Sequence, residues 1–178
     1  MPYYTYLLSS LPMLQFGAKP PFSYKRFLEM CEGLIPHQDI LAIRMSTAVG
    51  GCPFGDLNPT VKKWLAFDTS LRNELVQLRA RHKKTNPERY LRCGGYIDPS
   101  ITHIALRAHR TPSLLEAEKI LDGERWRFLG ELAVNHHFDL TALIVYANRL
   151  LILERWDRIS GADGREALDK ILQPAGVA

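Results

Sequence analysis

The chain has 178 residues, 46% of them hydrophobic and 24% charged, with a formal net charge of +4. That is enough for one well-buried core and excludes a disordered chain. So small a positive surplus suits an acidic protein, an anionic membrane surface or RNA equally and selects none of them.

From the N-terminus, MPYYTYLLSSLPML is apolar, but no positive charge precedes its apolar run and Pro12 interrupts it, so it does not read as a signal peptide. Residues 3–8, YYTYLL, have high β-propensity and suit a short strand or a buried extended lead-in alike. The tandem prolines of Gly17-Ala-Lys-Pro-Pro21 suit an extended linker. Ser23 can cap a helix to about Glu32, with Phe27, Leu28 and Cys31 at helical spacing and Gly33 as its stop. A second short helix is expected at about 37–47. It ends in the loop AVGGCPFGDLNP, whose Gly50, Gly51, Pro53, Gly55 and Pro59 make 48–58 irregular.

Asn58 and Pro59 are a good N-cap and first residue for a helix to about Lys84. Val61, Trp64, Leu65, Leu71, Leu75 and Leu78 recur at steps of three and four and give that helix one apolar stripe. Asp68 and Arg72 fall on the same stripe, one turn apart. An unpaired charge there is costly, so the two are expected to pair, as a structural ion pair in preference to a partner-binding one.

After turn signals at Asn86-Pro87 and Cys93-Gly94-Gly95, Asp98-Pro99 opens a helix to about Arg110. Thr111-Pro112-Ser113 starts another through SLLEAEKILDGERW and on to about Val134, with Glu116 and Glu118 where the helix dipole favours acids. Asp139 caps a helix over 140–159 that is apolar on nearly every side, with Thr141, Asn148 and Arg155 as its narrow polar line. Such a helix is either central in a bundle or covered by a partner. Its apolar run, Leu140 to Leu153, is too short to span a bilayer and contains Asn148 and Arg149. Gly161 to Gly164 is a turn before a last helix, Arg165 to Leu172. The expected fold is all-α: a single helical bundle-like domain over 1–178, with a short N-terminal strand as the one admissible exception and its final helices in 112–172.

Candidate chemistry is sparse. Cys31, Cys52 and Cys93 are odd in number, widely spaced and free of any CxxC, which argues against a zinc knuckle or a disulfide framework and for a reducing compartment. His136-His137-Phe-Asp139 could suggest a metal, but adjacent histidines on a helix point about 100° apart and Asp139 is better used as a cap. Cys52 lies in a glycine-rich loop with no nucleophile signature around it, and the loop lacks any phosphate-cradling pattern. No catalytic residue, cofactor or metal is therefore assigned. Arg79, Arg81, Lys83, Lys84, Arg89 and Arg92, with Tyr90 beside them, are the most basic stretch. RNA binding through 79–92 is the alternative they raise, but cations at a helix C-terminus are expected on dipole grounds alone. The pairs Arg125-Trp126 and Arg155-Trp156 carry the residue types that most often anchor interfaces, and equally could plug the core. Asp68, Arg72, Arg125, Trp126, Arg155 and Trp156 are the candidate structural or partner-binding residues.

YYTYLLSSLPML with KPPFS, then LAFDTSLRNELVQLRA, and finally EAEKILDGERWRFLGELAVNHHFDLTALIVYANRLLILERWDRISGADGREAL, spread over most of the chain, resemble a bacterial family of uncharacterised proteins encoded among the subunits of V-type ATPases. The closing FDLxxLxxYxxRLxILxRW pattern is the most specific part. The resemblance implies the place of that machine's socket piece, an all-helical component that sits on the membrane rotor ring and receives the central shaft. The socket piece is far longer and built from three similar helical units, so this chain would be a reduced counterpart of it, and no residue roles carry over. What is implied is a non-catalytic accessory or structural role in the ATPase, cytoplasmic and peripheral at the inner membrane. Its partners would be the shaft and ring subunits, with no nucleic acid. The other alternative is a small thiol enzyme using Cys52.

Overall fold

The computed structural model describes residues 3–48, 57–95 and 98–161. Those residues form seven α-helices, α1 Tyr4–Ser10, α2 Tyr24–Cys31, α3 His37–Thr47, α4 Pro59–Lys83, α5 Pro99–Arg110, α6 Leu114–Leu132 and α7 Leu140–Ser160, with a 3-10 turn at Glu88–Tyr90. No strand occurs among them. Most of the loop expected at 48–58 and the whole of the last helix expected at 165–172 lie outside the described residues.

The helix starts follow their caps. Ser23 accepts from Arg26 N, Asn58 from Thr60 N, Asp98 from Ser100 N, Ser113 from Glu116 N and Asp139 from Ala142 N. Pro59 and Pro99 occupy first-turn positions, where a missing N–H costs nothing. After α2 the backbone turns at Gly33, φ 79°, a left-handed conformation that favours glycine.

The N-terminal segment departs from expectation: Tyr4–Ser10 is helix, not strand. Tyr4, Leu7, Leu8 and Leu11, at helical spacing, are the residues that pack on the core, and Tyr4 donates its hydroxyl to Asp39 of α3. Burial of this stripe outweighs the β-propensity of the tyrosines and threonine.

Helix α7 is the centre of the fold. It touches α1, α2, α3, α4 and α6, and Leu143, Ile144, Val145, Ala147, Leu150, Ile152 and Leu153 are all buried. Its apolar faces are thus covered by other helices of this chain. On α4, the expected stripe residues Val61, Trp64, Leu65, Leu71 and Leu75 are buried, and Leu78 packs on the core from its edge. Phe67 joins them, stacked face to face on Phe128 of α6 with ring centroids 3.9 Å apart. Each fully buried side chain of this size contributes about 1.5–3 kcal/mol.

The segment after α4 runs back along that helix. Asn73 holds Arg92 through both backbone groups, accepting from its N–H at 2.9 Å and donating to its carbonyl at 2.8 Å. Gly95 lies against Ser70 and Asn73 in the middle of α4, and α5 ends beside the C-terminus of α4, where the His82 and His109 rings are 6.1 Å apart. Among the described residues, no helix is long and apolar enough to cross a membrane.

Candidate functional site

The polar line of α7 points inward, and each of its three rungs meets a different helix. Thr141 Oγ1 lies 2.9 Å from Thr60 Oγ1 of α4. Asn148 donates to Ser46 Oγ of α3 at 2.9 Å and to the Ile144 carbonyl at 2.8 Å. Arg155 reaches Asp122 and Glu118 of α6. Ser46 is itself a junction, because its carbonyl accepts from Trp64 Nε1 at 3.0 Å.

The third rung opens into a larger network. Asp122 accepts from Arg125 Nη1 at 2.8 Å, from Arg155 Nη1 at 3.3 Å and from Trp156 Nε1 at 3.0 Å. Arg125 Nε in turn donates to Asp68 Oδ1 at 2.8 Å, and Asp68 Oδ2 accepts from Arg72 Nε at 2.6 Å. Three carboxylates and three guanidiniums thus alternate in one chain, Arg72–Asp68–Arg125–Asp122–Arg155–Glu118, across α4, α6 and α7. The pairing expected of Asp68 and Arg72 is present, but it is the outer end of a longer chain.

Burial grades the network. Side-chain exposure is 1% at Asp122, 11% at Arg125 and 18% at Asp68, rising to 37% at Arg72 and 39% at Arg155. Energetic weight therefore sits on Asp122 and Arg125, since exposed ion pairs contribute little and buried ones are costly to break. Burial alone would raise the Asp68 carboxyl. The charges of Arg125 and Arg72 and their hydrogen bonds outweigh it and hold the group below the usual carboxylate range. For Arg125 burial disfavours the cation, yet Asp68 and Asp122 reverse this and raise its pKa.

A cavity of about 210 Å³ adjoins the network, lined by Asp68, Arg72, Asp122, Arg125, Asn148 and Arg155 among others. Sites for drug-sized ligands usually begin near 300 Å³. Asp68 and Asp122 pair with the three arginines along it, Glu118 balances the third from outside the lining, and the Ser46 and Thr47 hydroxyls that also line it hydrogen-bond within the fold. What this arrangement does chemically is hold helices together.

Five of the six sequence candidates, Asp68, Arg72, Arg125, Arg155 and Trp156, meet here. Trp126 does not. It lies on another side of α6, tilted against Phe16 at 5.5 Å, with the Arg149 guanidinium 4.8 Å above its ring. Arg149 also donates to the Trp126 carbonyl at 3.3 Å, and burial lowers its pKa. Asp122 was not singled out in the sequence, Glu118 was read there only as an acid favoured by the helix dipole, and Arg149 only as a charge within an apolar run. The spacing of Glu118, Asp122 and Arg125 along one face of α6 was the available signal for the first two.

The remaining candidates have simpler surroundings. Asp139 caps α7 and its other oxygen bonds His136 Nδ1. Among the described residues no three His, Cys, Asp or Glu side chains gather as a metal could require. Cys31 is free and buried, whereas Cys93 is disulfide-bonded, which runs against the reducing compartment expected from the cysteine pattern. Cys52 lies outside the described residues. Arg79, Arg81, Lys83, Lys84, Arg89 and Arg92 are all exposed.

Residues 101–174 match the model of a family described as a protein of unknown function, DUF2764. The match takes in Glu118, Asp122, Arg125, Arg155 and Trp156, while Asp68 and Arg72 fall before it. No curated protein and no solved structure matches the chain.

Proposed function

We propose that the protein is a non-catalytic helical subunit of a bacterial V-type ATPase, coupling the central shaft to the membrane ring. The assignment to that machine rests on the resemblance of YYTYLLSSLPML, LAFDTSLRNELVQLRA and the closing FDLxxLxxYxxRLxILxRW stretch to proteins encoded with its subunits. The family match over 101–174 falls on the same closing stretch and carries no function of its own.

The structural observation that supports a mechanical role is the alternating chain from Arg72 to Glu118. It ties α4, α6 and α7 together through charges already neutralised within the fold. A coupling piece must bind two partners without deforming, and a close-packed bundle cross-braced in this way meets that need. On this reading the chain sits at the inner membrane, held there by its partners.

The test is affinity capture of the tagged protein from its native cells in mild detergent, followed by mass spectrometry. Recovery of shaft and ring subunits is the expected result. Recovery of other ATPase subunits without these two would move the protein to an assembly or stator role. A capture free of ATPase subunits would end the assignment.

A further inference from the structure

Where α4 and α5 end and α6 begins, the surface is hollowed into a groove of about 560 Å³. Its floor is apolar, with Leu75, Ala108 and Leu121 closing onto the core and Leu114, 72% exposed, standing at its edge. Its rim is basic, carrying Arg79, His82, Lys83 and His109, all exposed. Glu118 is the one acid in the lining, and Arg155 already occupies its carboxylate. Arg79 and Lys83 form no ion pair among the described residues. A second hollow of about 300 Å³ adjoins the first across Leu75 and Arg79 and adds Arg72 and Arg92.

We propose that this groove binds an acidic amphipathic helix of a partner protein. The floor asks for an apolar stripe and the rim for carboxylates on either side of it, which is the helix-in-groove mode with charge complementarity setting partner choice. From Arg72 to Lys83 the wall of α4 runs roughly 16 Å, the length of about three helical turns. Nucleic acid fits less well. Single strands are held on stacked aromatics, and although Tyr90, His82 and His109 are exposed beside these hollows, the floor between them is leucine and alanine, which have no such use. The proposal goes beyond the ATPase assignment and does not depend on it, since it states which surface docks and what chemistry it takes.

The experiment is fluorescence anisotropy with the full chain and a labelled peptide of about four turns, leucines along one face and glutamates elsewhere. Expected are saturable binding that weakens with added salt and a loss of roughly tenfold in affinity on combining Arg79→Glu with Lys83→Glu. Leu114→Asp, at an exposed first-turn position where an acid suits the helix, is expected to weaken binding without unfolding the chain. Circular dichroism of each variant confirms the fold. Absence of binding at millimolar peptide would overturn the proposal. Equal binding of a peptide with the same composition but scattered leucines would also overturn it, leaving only general attraction of charge. Tighter binding of a single-stranded RNA oligonucleotide through Arg79 and Lys83 would reassign the surface to nucleic acid. None of these outcomes alters the ATPase capture experiment, so the two readings fail separately.

Discussion

Trp156 Nε1 donates to Asp122 Oδ2 at 3.0 Å, supplying the third donor to a carboxylate that is 1% exposed. Arg125 and Arg155 supply the others. Asp122→Ala leaves the buried Arg125 with Asp68 alone and the Trp156 indole without its acceptor, while the half-exposed Arg155 keeps Glu118, so we expect a loss of about 3 kcal/mol in urea unfolding. Asp122→Asn keeps an acceptor for the indole and is expected to lose less. Trp156→Phe removes one donor and is expected to lose about 1–2 kcal/mol.

Acid should act through Asp68. Its folded pKa lies below the ordinary value of about 4, so on acidification the unfolded chain binds this proton first. The contribution of Asp68 is therefore complete above the ordinary carboxylate range and is lost as pH falls through the depressed folded value. Unfolding free energy measured from about pH 5 to pH 2 should decline, and Asp68→Asn should flatten that decline. An unchanged slope in the variant would place the acid sensitivity elsewhere.

Asn148 is buried and spends both its hydrogens, on Ser46 and Ile144. Asn148→Ala should cost about 2 kcal/mol, from the lost bonds and the space left behind. Thr60→Ala at the neighbouring, less buried rung should cost about 1 kcal/mol. Chemical denaturation of the two variants side by side gives the order.

The Cys31 thiol is fully buried, and burial, with a smaller contribution from Glu32, pushes its pKa up to about 12. At pH 8 its thiolate fraction is about a thousandfold below that of an ordinary thiol. Iodoacetamide should leave Cys31 unmodified in the native protein and label it quickly in denaturant, read by mass spectrometry of the peptide that contains it. Rapid native labelling would mean that α2 opens readily.

Helix boundaries were legible because their chemistry is local. Ser23, Asn58, Asp98 and Asp139 each cap the helix expected of them. The N-terminal segment misled because tyrosine and threonine favour strands, while the helical stripe of Tyr4, Leu7, Leu8 and Leu11 matters only once a core exists to receive it. Asp68 and Arg72 were legible as a pair, being one turn apart. Asp122 was not. An acid within a helix reads as a solvated group, and the Trp156 that makes its burial tolerable comes 34 positions later in the chain. The same distance hides the direction of the α7 polar line, whose three partners lie on three other helices.

Those three rungs are unlike one another: hydroxyl against hydroxyl at Thr141, amide against hydroxyl at Asn148, guanidinium against carboxylates at Arg155. They work as a key cut for one lock. A slip of α7 by one turn, about 5.4 Å, would leave all three without their matches at the same moment. The helix therefore has no partly displaced position to rest in, and a push along its axis either moves the whole bundle or unseats α7 at once.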